Sequence, residues 1–177
     1  MLLLRSVFAL LAAGMAEGGA RRGACVSRAH MYMLQDVDSA SGGTYATSGL
    51  VASEKYGGAP KDSFFHYSAA MHWLGDYAWA GDGALLNGTV ATLCLRHAAT
   101  GALAAVLWSP TTAGTVVAGV ALDATAAACA LGRAGDSLSV VLPQAPLREG
   151  KVTPAVVAAD GTVTLSVTEM PTFVLKG

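Results

Sequence analysis

Between Thr162 and Thr168 the side chains alternate without a break, Val163, Leu165 and Val167 on one face and Thr162, Thr164, Ser166 and Thr168 on the other. Successive side chains of an extended strand point to opposite faces, so this pattern dictates a strand with one face buried and one in water. Leu138, Val140 and Leu142 repeat it against Ser137 and Ser139. Val116, Ala118, Val120 and Leu122 form another inward set, and because their opposite face is also fairly apolar, this strand is expected to be central.

The same grammar fills the second half of the chain. Thr89 to His97 and Ala102 to Ser109 flank Ala98-Ala99-Thr100-Gly101, a hairpin-like connection, and Asp160-Gly161 reads as a two-residue type I′ turn. With Ala126 to Leu131, Val152 to Ala158 and Thr172 to Leu175, roughly eight short strands fit into the last ~95 residues, the pattern of an antiparallel β-sandwich. At 177 residues and 53% hydrophobic, the chain can bury a real core.

The sequence changes character near residue 80, so residues 1–80 and 81–177 are expected to be separate units. In the first, Pro60-Lys61-Asp62-Ser63 is a helix start with Asp62 or Ser63 as cap. Phe64, Tyr67, Met71 and Leu74 then recur at helical spacing as core positions, and Gly75 stops the helix. Ala29 to Leu34 is a nearly continuous apolar run, as expected of a strand covered on both faces. Gln35-Asp36-Val37-Asp38 leaves it into a Ser/Gly-rich loop of about two dozen residues, longer than connections usually run. Long loops on a rigid strand end are where function tends to sit.

The first fifteen residues, MLLLRSVFALLAAGM, admit two readings. As a secretory signal they have an apolar run of suitable length and Gly18-Gly19-Ala20 as a cleavage context. As an amphipathic helix they place Leu3, Leu4, Val7, Leu11 and Met15 on one face and Arg5, Ser6, Ala9, Ala12 and Ala13 on the other. The position of Arg5 behind three leucines favours the helix, on which reading Met1 is expected to be an internal or mis-called start.

Charge and motif content exclude several classes. A net charge of −1 with 13% charged residues offers no footprint for nucleic acid or an anionic membrane surface. Past the N-terminus no apolar run approaches the roughly 18 to 20 residues that span a bilayer. Cys25, Cys94 and Cys129 lie far apart without a CxxC; Cys94 with Cys129 is one possible bridge in an oxidising compartment, and three free buried thiols are the other reading. His30, His66, His72 and His97 fall on different elements with no metal-site spacing, so no metal and no cofactor are implied. Trp73, Trp79 and Trp108 read as core or interdomain packing. No nucleotide-binding glycine loop or GxSxG elbow occurs. Asn87-Gly88-Thr89 is a glycosylation sequon, which tilts the reading toward a secreted or extracellular protein.

A helix like Leu3 to Met15, a strand like His30 to Asp36, the Thr44-Tyr45-Ala46-Thr47-Ser48-Gly49-Leu50 segment, then Pro60-Lys61 and an aromatic helix ending Leu74-Gly75-Asp76-Tyr77 resemble the end of a (β/α)8-barrel glycoside hydrolase. Val106-Leu107-Trp108-Ser109-Pro110 with Gly114-Thr115, and Thr168-Glu169-Met170-Pro171-Thr172-Phe173-Val174, are similar to stretches of the β-sandwich that many such enzymes carry behind the barrel. The resemblance covers nearly the whole chain on short motifs. It implies an enzyme that hydrolyses O-glycosidic bonds of a carbohydrate substrate, with residues 1–80 as a partial barrel segment of helix, strand, long loop and helix. The retaining mechanism needs two carboxylates about 5 to 5.5 Å apart; the family places them on barrel strands four and seven, upstream of the matched part, so no catalytic residue is expected in this chain. Strand-eight residues line the sugar-binding end, which makes Tyr32, Gln35 and Asp36 candidates for substrate contact. The plainer alternative is that Tyr32 fills the barrel while Gln35 and Asp36 satisfy loop backbone. Asp38 and Glu54 read as ordinary loop charges. Beside this reading stand two others, a secreted non-catalytic β-sandwich module that binds glycan or protein, and a purely structural domain.

Overall fold

Two apolar runs of the second half, Leu103 to Trp108 and Phe173 to Leu175, become the centre of the fold. A computed structural model describes residues 34–38, 48–80, 84–86, 89–111, 113–126 and 129–176. These form a 3-10 turn (Glu54–Tyr56), helix α1 (Asp62–Leu74) and strands β1 (Tyr77–Trp79), β2 (Ala84–Leu86), β3 (Val90–His97), β4 (Leu103–Trp108), β5 (Val117–Asp123), β6 (Ser137–Gln144), β7 (Leu147–Val156), β8 (Thr162–Val167) and β9 (Thr172–Lys176). The chain is mostly antiparallel β, as the alternation predicts. One sheet runs in the order β1-β3-β4-β9-β6-β7, with β2 sharing the outer edge of β3 with β1; β5 and β8 pair as a second sheet.

The large sheet is covered on both sides. On one face Val90, Cys94, Ala105, Leu107 and Val174 meet Val120, Leu122, Val163, Leu165 and Val167 of the small sheet. On the other, Leu93, Leu95, Val106, Trp108 and Phe173 pack with Leu74, against which Ala70 and Trp73 of α1 also lie. This explains the two strand patterns. β4 and β9 are central, so nearly every side chain must be apolar, whereas β8 lies in an outer layer and keeps Thr164 and Ser166 in water. The composition shift at residue 80 does not divide the packing, because α1 and β1 belong to the core of the large sheet. No helix of the described residues is long and apolar enough to cross a membrane.

Four local expectations are corrected. Ala126 to Leu131 is not a strand: where described, it is a buried connection held by short turns, with the Cys129 N–H donating to the Ala126 carbonyl and the Gly132 N–H to the Ala124 carbonyl. It is apolar because Cys129 and Leu131 fill the core between the sheets. In β5 Val120 and Leu122 face inward as expected, joined by Val117 in place of Val116 and Ala118, and among the described residues the strand pairs only with β8 instead of being central. The register shifts between Val117 and Val120, where Gly119 adopts φ 68°, so a bulge inserts one residue and flips the face. Asp160-Gly161 belongs to a three-residue loop, closed by the Ala158 N–H donating to the Thr162 carbonyl (2.8 Å), with Gly161 at φ 83°. This loop carries the chain from one sheet to the other, since β7 pairs with β6 and β8 with β5.

The fourth correction concerns α1. Lys61 occupies the cap position and Asp62 is the first helical residue, with no side chain capping the turn. The buried positions are Ala69 and Leu74, while Tyr67 and Met71 are 37% and 53% exposed. Ala70, Trp73 and Leu74 meet the sheet, while Tyr67 and Met71 stay exposed. Trp73 Nε1 donates to the Glu149 carbonyl (2.8 Å), fastening the helix to β7.

Cys94 of β3 and Cys129 of the buried connection form a disulfide with a Cα–Cα distance of 5.5 Å. The bridge closes a 35-residue separation, for which chain entropy gives about 4 kcal/mol of stabilisation. Replacing both cysteines by alanine is expected to lower the unfolding free energy from urea titration by about that amount; an unchanged free energy and midpoint contradict the pairing. Asp123 and Asp160 each accept from the hydroxyl and N–H of a Thr two residues on, Thr125 and Thr162. Those bonds, the hydroxyl first, hold both carboxyls below their ordinary value of 3.8. Their contribution to stability is therefore present above the ordinary value and lost as pH falls through the lowered one. A Thr162→Val variant is expected to raise the pKa of Asp160 in a carboxyl NMR titration, and an unmoved titration contradicts this cause.

Candidate functional site

Of the expected contact residues, Tyr32 lies outside the described residues, as does the sequon residue Asn87. Gln35 and Asp36 are brought together with two later segments. Gln35 forms a parallel bridge with Val51, and Val51 an antiparallel one with Pro60. The Leu50 and Val51 N–H groups both donate to the Leu34 carbonyl, the Asp36 N–H to the Val51 carbonyl, and the Lys61 N–H to the Leu50 carbonyl, each at 2.9 Å. Residues 34–36 are thereby tied to the residue that opens α1.

The Asp36 carboxylate closes this junction. Its side chain is only 9% exposed, with Lys61 Nζ 2.7 Å from both oxygens and the Gly49 N–H donating to Oδ1 at 2.8 Å. Such charge-assisted bonds are about twice as strong as neutral ones, and a carboxylate buried this far needs them. Gly49 is required by space. A Cβ there would sit 2.6 Å from the Asp36 nitrogen and the Gln35 carbonyl carbon, inside the distance that any real contact allows. Gln35 is exposed, with Nε2 donating to the Ala52 carbonyl at 3.4 Å. Beside it Ser53 is buried with its hydroxyl unpartnered among the described residues.

Chemically the cluster is an ion pair that orders the junction of Gln35, Val51 and Pro60, with one exposed amide head at its surface. Both oxygens of Asp36 are engaged, so it holds geometry, while Gln35 keeps donor and acceptor capacity for a ligand. No group of three His, Cys, Asp or Glu residues that would hold a metal occurs among the described residues.

The remaining singled-out residues are dispersed. Trp108 is buried in the sheet and Trp73 is committed to β7. His97 Nδ1 accepts the Ala99 and Thr100 N–H groups at 3.2 Å, a turn-closing role. His66 is half-buried with Nδ1 unpartnered among the described residues, and burial pushes its pKa down. A second buried carboxylate escaped the motif search. Glu169 accepts from Thr111 Oγ1 (3.1 Å) and the Gly114 N–H (2.6 Å), pinning the loop after β4 to the turn before β9. Its sequence signal was a lone acidic residue between two apolar strands.

An Asp36→Asn variant is expected to loosen the junction by about 1 to 3 kcal/mol, read as faster hydrogen exchange at Asp36, Leu50, Val51 and Lys61. Unchanged exchange at those amides contradicts the clamp. Compared with family models, with curated proteins and with solved structures, the chain matches none of them.

Proposed function

We propose that the chain is the C-terminal part of a (β/α)8-barrel glycoside hydrolase, joining the last barrel unit to a β-sandwich, and that it supplies no catalytic carboxylate. The observation that carries this reading is the order of elements around the Asp36 clamp: an extended strand end with a parallel bridge to Val51, then α1, then an antiparallel double layer. Parallel pairing requires a crossover connection and is the signature of β/α construction. On this reading the residues after the strand end form the last loop at the sugar-binding face. Tyr32 and Gln35 then contact a substrate hydroxyl, and Asp36 fixes the strand end from which they project. Through Lys61 the same clamp sets the start of α1, which lies on the large sheet, so the β-domain and the sugar-binding end share one rigid joint. The Cys94–Cys129 bridge suits an oxidising compartment, and we place the complete enzyme outside the cell.

The disulfide equally favours the second reading, a secreted non-catalytic module that binds glycan or protein. Transcript sequence upstream of Met1 separates the two. Under the enzyme reading the frame runs back into further βα units carrying two strand-end carboxylates; a stop codon shortly before Met1 contradicts it. The chain alone is expected to give no turnover of aryl glycosides above buffer, and measurable turnover contradicts the absence of catalytic carboxylates.

A further inference from the structure

The two sheets are not the same width, and the difference leaves a groove. On β8, Val163, Leu165 and Val167 stand opposite Leu122, Val120 and Val117 of β5, and the Gly161 carbonyl accepts from Ala124 on that side. The Thr162 carbonyl accepts from Ala158 on the other side. Backbone groups alternate sides along a strand, so the N–H and C=O of Thr164 and Ser166 point away from β5. No backbone hydrogen bond from the described residues reaches them. Below this free edge β6 and β7 continue the large sheet, forming a groove of about 350 Å³. Its floor is Val140, Leu142, Thr153 and Ala155, its wall is β8 from Thr164 to Ser166, and its charged residue is Lys151. Lys151 makes no ion pair among the described residues.

We propose that this groove binds an extended peptide segment of a partner protein, which adds to the free edge of β8 as a third strand of the small sheet. An unpaired row of donors and acceptors is the template for strand addition, and alternate side chains of the added strand would face the floor. The floor is apolar and shallow, so those positions take small or β-branched aliphatic residues. Lys151 lies opposite Leu142, midway along β7 and away from the Ala158 turn, and it lines the groove together with Ser166 of β8. The peptide carries an acidic side chain there. A second copy of the chain does not fit. Pairing two β8 edges antiparallel would bring both copies of β6 and β7 into the space under the joined strands, whereas one extended segment, about 4.8 Å from β8, lies over them freely. The lining holds no aromatic ring and no carboxylate, so the groove is not built as a sugar site.

Panning a phage-displayed random heptapeptide library on the full chain, followed by amide NMR with the enriched peptides, tests this. The expected outcome is a selected pattern of alternating small aliphatic and polar residues with an acid near one end, and slowed hydrogen exchange at Thr164 and Ser166 on binding. Thr164→Pro removes an N–H on the free edge while leaving those of Val163 and Leu165 to β5, and is expected to weaken binding at least tenfold. Lys151→Glu is expected to weaken it severalfold. Should Thr164→Pro not fold, selected peptides N-methylated at alternate residues give the same comparison against the native chain. No enrichment, amide changes away from β8, or binding undiminished by both the variant and N-methylation overturns the proposal.

Discussion

The double burial of β4 and β9 is the constraint on which the rest of the structure depends. Ala104, Ala105, Val106 and Leu107 of β4 are inaccessible, as are Phe173 and Val174 of β9, so the two strands have no face to give to water. Each large side chain hidden this way contributes about 1.5 to 3 kcal/mol, but only if something covers it on its own side. The sheet therefore needs two lids of different kinds. The small sheet supplies one with β5 and β8, and α1 with Leu74 the other. The disulfide reinforces the first by holding the buried connection after β5 against β3.

That need binds the two halves of the chain together. The helix leading out of the Asp36–Lys61 junction is the same helix that roofs the large sheet, so the junction is tied to that sheet's core. The same packing sets which residues α1 presents to the sheet: Ala70, Trp73 and Leu74. Small residues let helix and sheet approach closely, while Tyr67 and Met71 remain on the outer side.

The strands were legible because pairing and burial write themselves into adjacent residues: Thr162 to Val167 alternates since its outer face is wet, and Leu103 to Trp108 does not since neither face is. Where a single backbone conformation changed the phase, reading failed. Gly119 turned Val117 inward in place of Val116 and Ala118, and Cys129 and Leu131 are apolar through filling a gap between layers, which no period of two can reveal. The helical spacing of α1 misled only in part, because Leu74 docks as read, beside Ala70 and Trp73, and leaves Tyr67 and Met71 exposed. At the candidate site, the residue types of Gln35 and Asp36 marked the place. Their division of labour did not show, since it rests on Lys61 and Gly49, 25 and 13 residues further along the chain from Asp36.

The central claim is that α1 is a cover the large sheet cannot lose, and native-state hydrogen exchange across a denaturant series measures it directly. The account predicts that the amides in the middle of α1 open only with those of β4 and β9, at the free energy of global unfolding. If α1 opened several kcal/mol below the sheet while β4 and β9 stayed protected, the sheet would stand without its helical lid and the account would fail.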